Sequence, residues 1–242
     1  MGLQIAYIGL SILMSAILIL ISIKTIDKTY HEKSKVRKKK ILLISFLVIW
    51  HLYLFILGST EFMINLSFPP RFFILAIFPL FIFTGIFIYK NRNSSWIQNI
   101  PPHWLFFYQT FRILIEVIFV FTVAKGILHP NVTIEGYNFD MVYAFTVLII
   151  GLIVFRKFTQ YKRLIIWWNY LGLGVIAIII FLFQTTIYIP EIYGDIEPFP
   201  IEFLKYPYIL VPSFLMPSAV FIHILSIVQL RKMPVANNAY KK

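Results

Sequence analysis

Cysteine is missing from the 242 residues of this chain. That excludes structural disulfides, thiolate metal sites, cysteine nucleophiles, iron–sulfur clusters and thioether-attached haem. Charge is scarce too: 13% of the residues are Asp, Glu, Lys or Arg, against roughly 25% in water-soluble domains. A soluble fold of this size could not cover its surface with so few. No hydrophilic stretch is long enough for a separate soluble domain. Motifs for intramembrane hydrolysis are lacking as well, since the apolar runs carry no Ser/His dyad, Asp pair or His-Glu-x-x-His zinc motif.

What is there is apolar. The chain is 60% hydrophobic, with a mean hydropathy of +0.82, and a membrane-crossing helix needs about 20 mainly apolar residues. Runs at about 3–23, 41–58, 72–89, 103–127, 141–155, 164–188 and 207–230 predict an all-α integral membrane protein, a single bundle of seven transmembrane helices over 1–232. The first run lacks a basic leader and a small-residue cleavage site, so it reads as a retained helix. Residues 233–242 form a short polar tail, expected to be disordered. The runs do not divide into matching halves, which counts against an inverted-repeat transporter.

Basic residues fall on alternate loops. Lys24, Lys28, Lys33, Lys35, Arg37, Lys38, Lys39 and Lys40 separate the first two runs, and Lys90 and Arg92 follow the third. Arg156, Lys157, Lys162 and Arg163 follow the fifth, and Arg231, Lys232, Lys241 and Lys242 follow the last. The other loops carry Glu61, then Glu135 and Asp140, then Glu191, Asp195, Glu197 and Glu202; Pro69-Pro70 breaks the first of them. Only Arg71, Lys125 and Lys205 fall on that side. Basic loops stay cytoplasmic, which predicts an N-terminus outside and a C-terminus in the cytoplasm. The net charge of +12 therefore reads as topology and as contact between the 24–40 segment and anionic lipids. The other signs of a nucleic-acid reader are missing.

Within a bilayer the informative residues are the polar ones. Gln109, Arg112 and Glu116, spaced three and four apart, share one helix face. A central Arg or acid costs about 2.5–3.5 kcal/mol to insert, and each Leu, Ile, Phe or Val returns about 0.3–0.6. The fourth run is thus marginal alone, and its polar face must meet other helices or a hydrated cavity. One reading pairs Arg112 with Glu116 along the helix, with Gln109 satisfying a neighbouring backbone group; the other makes this face a buried binding or proton-handling site. By helix rise, Arg112, His51, His223 and Asn169 lie about 13, 15, 10 and 8 Å from the inner ends of their runs, an inner-half polar layer drawn from four helices.

Prolines mark the last run: Pro207, Pro212 and Pro217, with Ser213 and Ser218 alongside. A helical proline frees the carbonyl four residues earlier, here Tyr208 for Pro212 and Ser213 for Pro217, and Leu75 for Pro79 in the third run. Pro212 and Pro217 are either hinges or static kinks satisfied by the serine hydroxyls. Asp140 reads as a helix N-cap. Asn131-Val132-Thr133 fits a glycosylation acceptor.

A retinal protein needs a lysine within its last helix, and here Lys205 precedes that run while Lys232 follows it. Receptor-type Asp/Glu-Arg-Tyr and Asn-Pro-x-x-Tyr motifs are absent. The stretches Gln109-x-x-Arg112-x-x-x-Glu116, Glu135-Gly136-x-Asn138-x-Asp140, Trp168-Asn169 and Pro212-x-x-x-x-Pro217 followed by His223 resemble an uncharacterised bacterial family of multi-pass membrane proteins. The resemblance covers roughly residues 100–230. It implies residence in the bacterial cytoplasmic membrane and a shared polar layer, and it implies no chemistry.

Three functions fit these residues. The first is a non-enzymatic sensor or accessory subunit that holds a small ligand, lipid or partner helix, with Arg112 anchoring an anionic group, Glu116 tuning its charge, and His51 and His223 hydrogen bonding. The second is a proton-coupled transporter in which Glu116 and His223 exchange protons. The third is a redox protein with b-type haem between His51 and His223. No metal site or other cofactor is expected.

Overall fold

The computed structural model describes residues 1–67, 70–155, 157–194 and 197–234. Pro69, Arg156, Asp195 and the tail from 235, including Lys241 and Lys242, lie outside the described residues. Eight α-helices are present among those described, with no strand: α1 (Gly2–Thr29), α2 (Lys33–Gly58), α3 (Phe78–Asn91), α4 (Pro102–Tyr108), α5 (Phe111–Val123), α6 (Asp140–Val154), α7 (Lys162–Tyr188) and α8 (Met216–Lys232). A π turn at Phe73–Ile77 leads into α3, and another at Val211–Leu215 leads into α8.

Six apolar helices are long enough to cross a membrane: Gly2–Thr29, Lys33–Gly58, Phe73–Asn91, Pro102–Val123, Lys162–Tyr188 and Val211–Lys232. Their outward faces present Leu42, Ile49, Ile82, Phe121, Leu171 and Phe181, an apolar surface suited to lipid rather than water. The seventh expected span is the exception. α6 has 15 residues, a rise of about 22 Å, against a hydrocarbon core of about 30 Å.

The basic segment at 24–40 is helical almost throughout, since α1 continues to Thr29 and α2 begins at Lys33. Lys28 in the last turn of α1 suits the negative end of that helix dipole. Lysines opening α2 do not, and acids offset them: Lys35 pairs with Glu32 at 2.9 Å and Lys40 with Asp27 at 2.7 Å. Hydrogen bonds from Ser34 and then Lys35 hold the Glu32 carboxyl below its ordinary value.

Side-chain bonds gather the basic helix ends at one end of the bundle. Asn99 donates to Thr29 Oγ1 at 2.9 Å, Lys232 binds the Arg92 carbonyl, and Lys162 Nζ donates to the Met233 carbonyl at 2.5 Å. At the other end the Tyr206 amide donates to the Gly58 carbonyl at 2.9 Å, and the hydrogen bond that Lys205 donates to the Glu202 carboxylate keeps its ammonium above its ordinary value.

α8 lies innermost and packs on α3, α4 and α7. Its buried residues include Ser218, His223, Ser226 and Gln229 as well as its apolar side chains. Both of its expected hinge positions are built into the π turn and its exit. The Tyr208 carbonyl freed by Pro212 accepts from the Val211 amide at 3.1 Å. The Ser213 carbonyl freed by Pro217 accepts from the Trp50 indole N–H at 3.1 Å, and the Leu75 carbonyl freed by Pro79 accepts from the Tyr53 hydroxyl at 2.9 Å. α2 thus supplies the donor at Ser213, where a serine hydroxyl was the expected one, and the donor at Leu75. Ser213 Oγ has no partner, and Ser218 Oγ donates to the Leu215 carbonyl at 2.7 Å.

The stretch at 128–140, expected to lie outside as a solvated loop, folds back into the bundle. Leu128, Val132, Thr133, Asn138 and Asp140 are buried. The fold is tight: a Cβ on Gly136 would stand 2.5 Å from Asn131 Cα, so only glycine fits. Asn131 Nδ2 is buried without a partner, which overturns the glycosylation reading because the acceptor nitrogen is out of reach.

Candidate functional site

The fourth expected span is interrupted where its polar face begins. Thr110 Oγ1 donates to the Phe107 carbonyl at 2.6 Å, competing with the backbone as such hydroxyls do. The amides of Gln109, Thr110, Arg112 and Ile113 bond three residues back, a tightened turn between α4 and α5. Gln109, Arg112 and Glu116 still share an inward face, at 0%, 2% and 1% exposure. Gln109 Nε2 donates to the Ala219 carbonyl at 3.1 Å, the backbone bond expected of it.

Arg112 does not pair with Glu116. Its guanidinium grips Asp140 of α6 through two nitrogens: Nε donates to Oδ2 at 3.1 Å and Nη2 bonds Oδ1. Two parallel bonds fix the planes of both groups. Nη1 donates to His223 Nε2 on α8 at 3.2 Å, and the Tyr143 ring lies under the guanidinium with its centroid 4.6 Å away. Arginine only donates, so His223 Nε2 accepts and Nδ1 carries the ring proton. That Nδ1–H donates to Asn169 Oδ1 on α7 at 2.8 Å. Asn169 Nδ2 then donates to the Ile165 carbonyl at 2.7 Å and to Ser226 Oγ at 3.2 Å. One chain of bonds joins α5, α6, α7 and α8.

The close approach depends on Gly172. A Cβ there would meet Tyr143 Oη at 2.3 Å and His223 Cε1 at 2.5 Å. Tyr143 is held in turn by Trp168, stacked on it at 4.9 Å, and by donating to the Trp168 carbonyl at 3.0 Å.

Asp140 is not the N-cap of α6 but its first residue, and its carboxylate is spent on Arg112 rather than on the helix. Asn138 serves the helix start instead, accepting the Asp140 amide at 2.9 Å through Oδ1. Asn138 Nδ2 also donates to Glu116 Oε1 at 3.1 Å and to the Val132 carbonyl at 3.1 Å. Glu116 lies seven residues before the end of α5, about 10 Å by helix rise, so the chain re-enters by that depth before α6 begins. Glu116 Oε2 has no partner.

Glu116 lines a cavity of about 60 Å³ together with Arg112, Asn138 and Asp140. That is room for a few waters or a small polar head. The remaining wall is apolar, from Phe119, Ile180, Phe183 and the two π turns among others. Ile180 and Phe183 are half-buried, and their neighbour Phe181 is exposed on the apolar outer face of α7.

His51 stands apart. It is half-buried on α2, where Nδ1 donates to the Leu47 carbonyl at 2.9 Å, Nε2 lies 3.4 Å from Ser15 Oγ, and the ring packs on Phe214 at 4.5 Å. Phe214 and His223 are nine residues apart, about 13 Å along the helix. The two histidines thus stand apart in this structure, and both nitrogens of His223 are bonded. The depth estimate put His51 in the polar layer, but α2 is shifted and turned so that its aromatics, not its histidine, reach the centre.

Four of the six expected site residues therefore meet around one cavity or one bond chain: Arg112, Glu116, Asn169 and His223. Gln109 packs beside them and His51 does not. Asp140, Asn138 and Tyr143 complete the site. Their signal in the sequence is an acid and an amide at the border of an apolar run, next in order to a run holding a buried arginine.

These features define the class: an all-helical chain of membrane-spanning character with a buried polar chain at its centre. It matches no known family model, no curated protein and no solved structure.

Proposed function

We propose that this protein is a non-enzymatic binding protein of the bacterial cytoplasmic membrane, a sensor or accessory subunit that holds the polar head of a small ligand or lipid at Glu116. The single observation behind it is a buried carboxyl oxygen, Glu116 Oε2, without a partner, on a side chain that lines a cavity with a mainly apolar wall. A buried polar atom without a partner costs about 1–3 kcal/mol, and a ligand that bonds it removes that cost. The chain from Asp140 to Ser226 is the rigid base of the site. On this reading the chain has seven membrane segments, with the N-terminus outside and the C-terminus in the cytoplasm, and the gathering of basic residues at one end of the bundle supports that orientation. The same residues at 24–40 would lie against anionic lipid headgroups.

Native mass spectrometry of protein released from a mild detergent tests this reading. A small-molecule adduct is expected on the wild type, lost in Ile180→Trp, which fills the cavity without touching a polar group. If no adduct forms with any added amphiphile, and Ile180→Trp leaves the melting temperature unchanged, the reading fails.

A proton-coupled carrier is the second reading. It is favoured by α6, a short helix whose N-terminus meets the buried site, as broken helices do in transporters. Flux into proteoliposomes that depends on pH and vanishes in Glu116→Gln would select it over the first.

A further inference from the structure

We infer that the cavity at Glu116 selects an ammonium head and rejects anionic ones. The inference rests on the binding role proposed above and names its ligand class. Arg112 is the cation that would ordinarily recruit an anion here, but its charge is already matched by Asp140, and only one N–H on Nη1 and one on Nη2 are left over. Nε and Nη2 are bound to Asp140, Nη1 to His223, and the guanidinium face rests on Tyr143. Asn138 Nδ2 is likewise committed, to Glu116 Oε1 and to the Val132 carbonyl. His223 presents no N–H to the cavity, since its one proton goes to Asn169.

The polar groups facing the cavity are then two carboxylates and one guanidinium, Glu116 and Asp140 against Arg112. Asp140 takes the guanidinium, and Glu116 is left without a counter-charge. No charged side chain of α7 or of the two π turns lines the cavity. A carboxyl buried without a counter-charge keeps its proton, so an anionic head placed here would find no positive charge beyond the one Asp140 already matches, whereas an amine can take the Glu116 proton and pair with the carboxylate it leaves. An ammonium supplies what is missing, three donors and one positive charge on a head small enough for about 60 Å³. Its alkyl part would leave past Ile180 and Phe183 to the apolar exterior. A free alkylamine and an ethanolamine-headed lipid share this chemistry.

Dodecylammonium, dodecanoate and dodecanol, added to the purified protein in a neutral sugar detergent, separate the possibilities when bound molecules are counted by native mass spectrometry. Saturable binding of dodecylammonium is expected, at least tenfold tighter than dodecanoate. Glu116→Gln keeps the shape and the acceptor for Asn138, and it should weaken the amine at least tenfold while leaving dodecanol unchanged. Bilayer discs of ethanolamine-headed or glycerol-headed phospholipid assign the source: retention of the first lipid only points to a headgroup, retention of neither to a free amine. Dodecanol or dodecanoate binding that Ile180→Trp abolishes, without preference for the amine, overturns the ammonium inference and leaves the binding role standing. Failure of all three probes overturns both.

Discussion

α2 and α8 are both long helices of similar apolar character, yet they play opposite parts. α2 turns most of its surface outward and buries only Leu47, Leu54 and Gly58. α8 is enclosed on nearly every side and buries Ser218, His223, Ser226 and Gln229. The inner helix thus buries polar side chains where the outer one buries none. In a lipid solvent apolar side chains gain nothing by leaving the tails for the protein interior, whereas polar groups gain partners there. α2 fits the same logic through its exceptions: Trp50 and Tyr53 point inward, and each ends on a carbonyl that a proline has freed.

The comparison is tested most severely at the polar chain of the inner helices. Asp140→Asn removes the charge facing Arg112 and leaves a buried guanidinium uncompensated, which costs about 3–5 kcal/mol. Unfolding in detergent micelles should register that loss. Arg112→Met combined with Asp140→Leu removes both charges and should lose less than either single change, because no unpaired charge remains. If the double variant is as unstable as the sum of the two, the pair is not the unit described here.

The outer helix predicts a smaller loss. Tyr53→Phe deletes one donor to a carbonyl while keeping the ring and should cost about 1 kcal/mol, the size of a hydrogen bond between membrane helices; Trp50→Phe deletes the other donor and shrinks the ring, and should cost at least as much. The rings lie 5.2 Å apart, close enough for the two losses to couple rather than add. Equal stability of both variants and the wild type would mean that the freed carbonyls find other donors.

Much of this architecture is legible in the sequence. Apolar runs locate six of the long helices, and the alternation of basic loops agrees with the way the helix ends are gathered. The shared face of Gln109, Arg112 and Glu116 follows from spacing alone. Two things were out of reach. The first is that residues 128–140 re-enter the bundle, because Val132 and Thr133 are unremarkable in a loop until Gly136 lets the chain turn tightly enough to bury them. That fold brings Asp140 to Arg112 and strands Glu116, so the pairing expected within one helix gave way to one between helices. The second is the rotation of α2. Depth along a helix can be counted from sequence, but which face turns inward is decided by packing, here by Trp50 and Tyr53 seeking the carbonyls of Ser213 and Leu75.

That rotation sets the smallest effect expected, at His51. His51 and His223 were indistinguishable by depth, and they differ in what depends on them. His223→Leu would strip a partner from Arg112 Nη1 and another from Asn169 Oδ1, both buried. His51 bonds the Leu47 carbonyl of its own helix, which the backbone ladder can satisfy without it, and reaches Ser15 only at 3.4 Å. His51→Leu should therefore change stability by no more than about 0.5 kcal/mol and leave ammonium binding unaltered. A loss of more than about 2 kcal/mol, beyond what a single bond at a helix surface contributes, would place His51 in the polar centre.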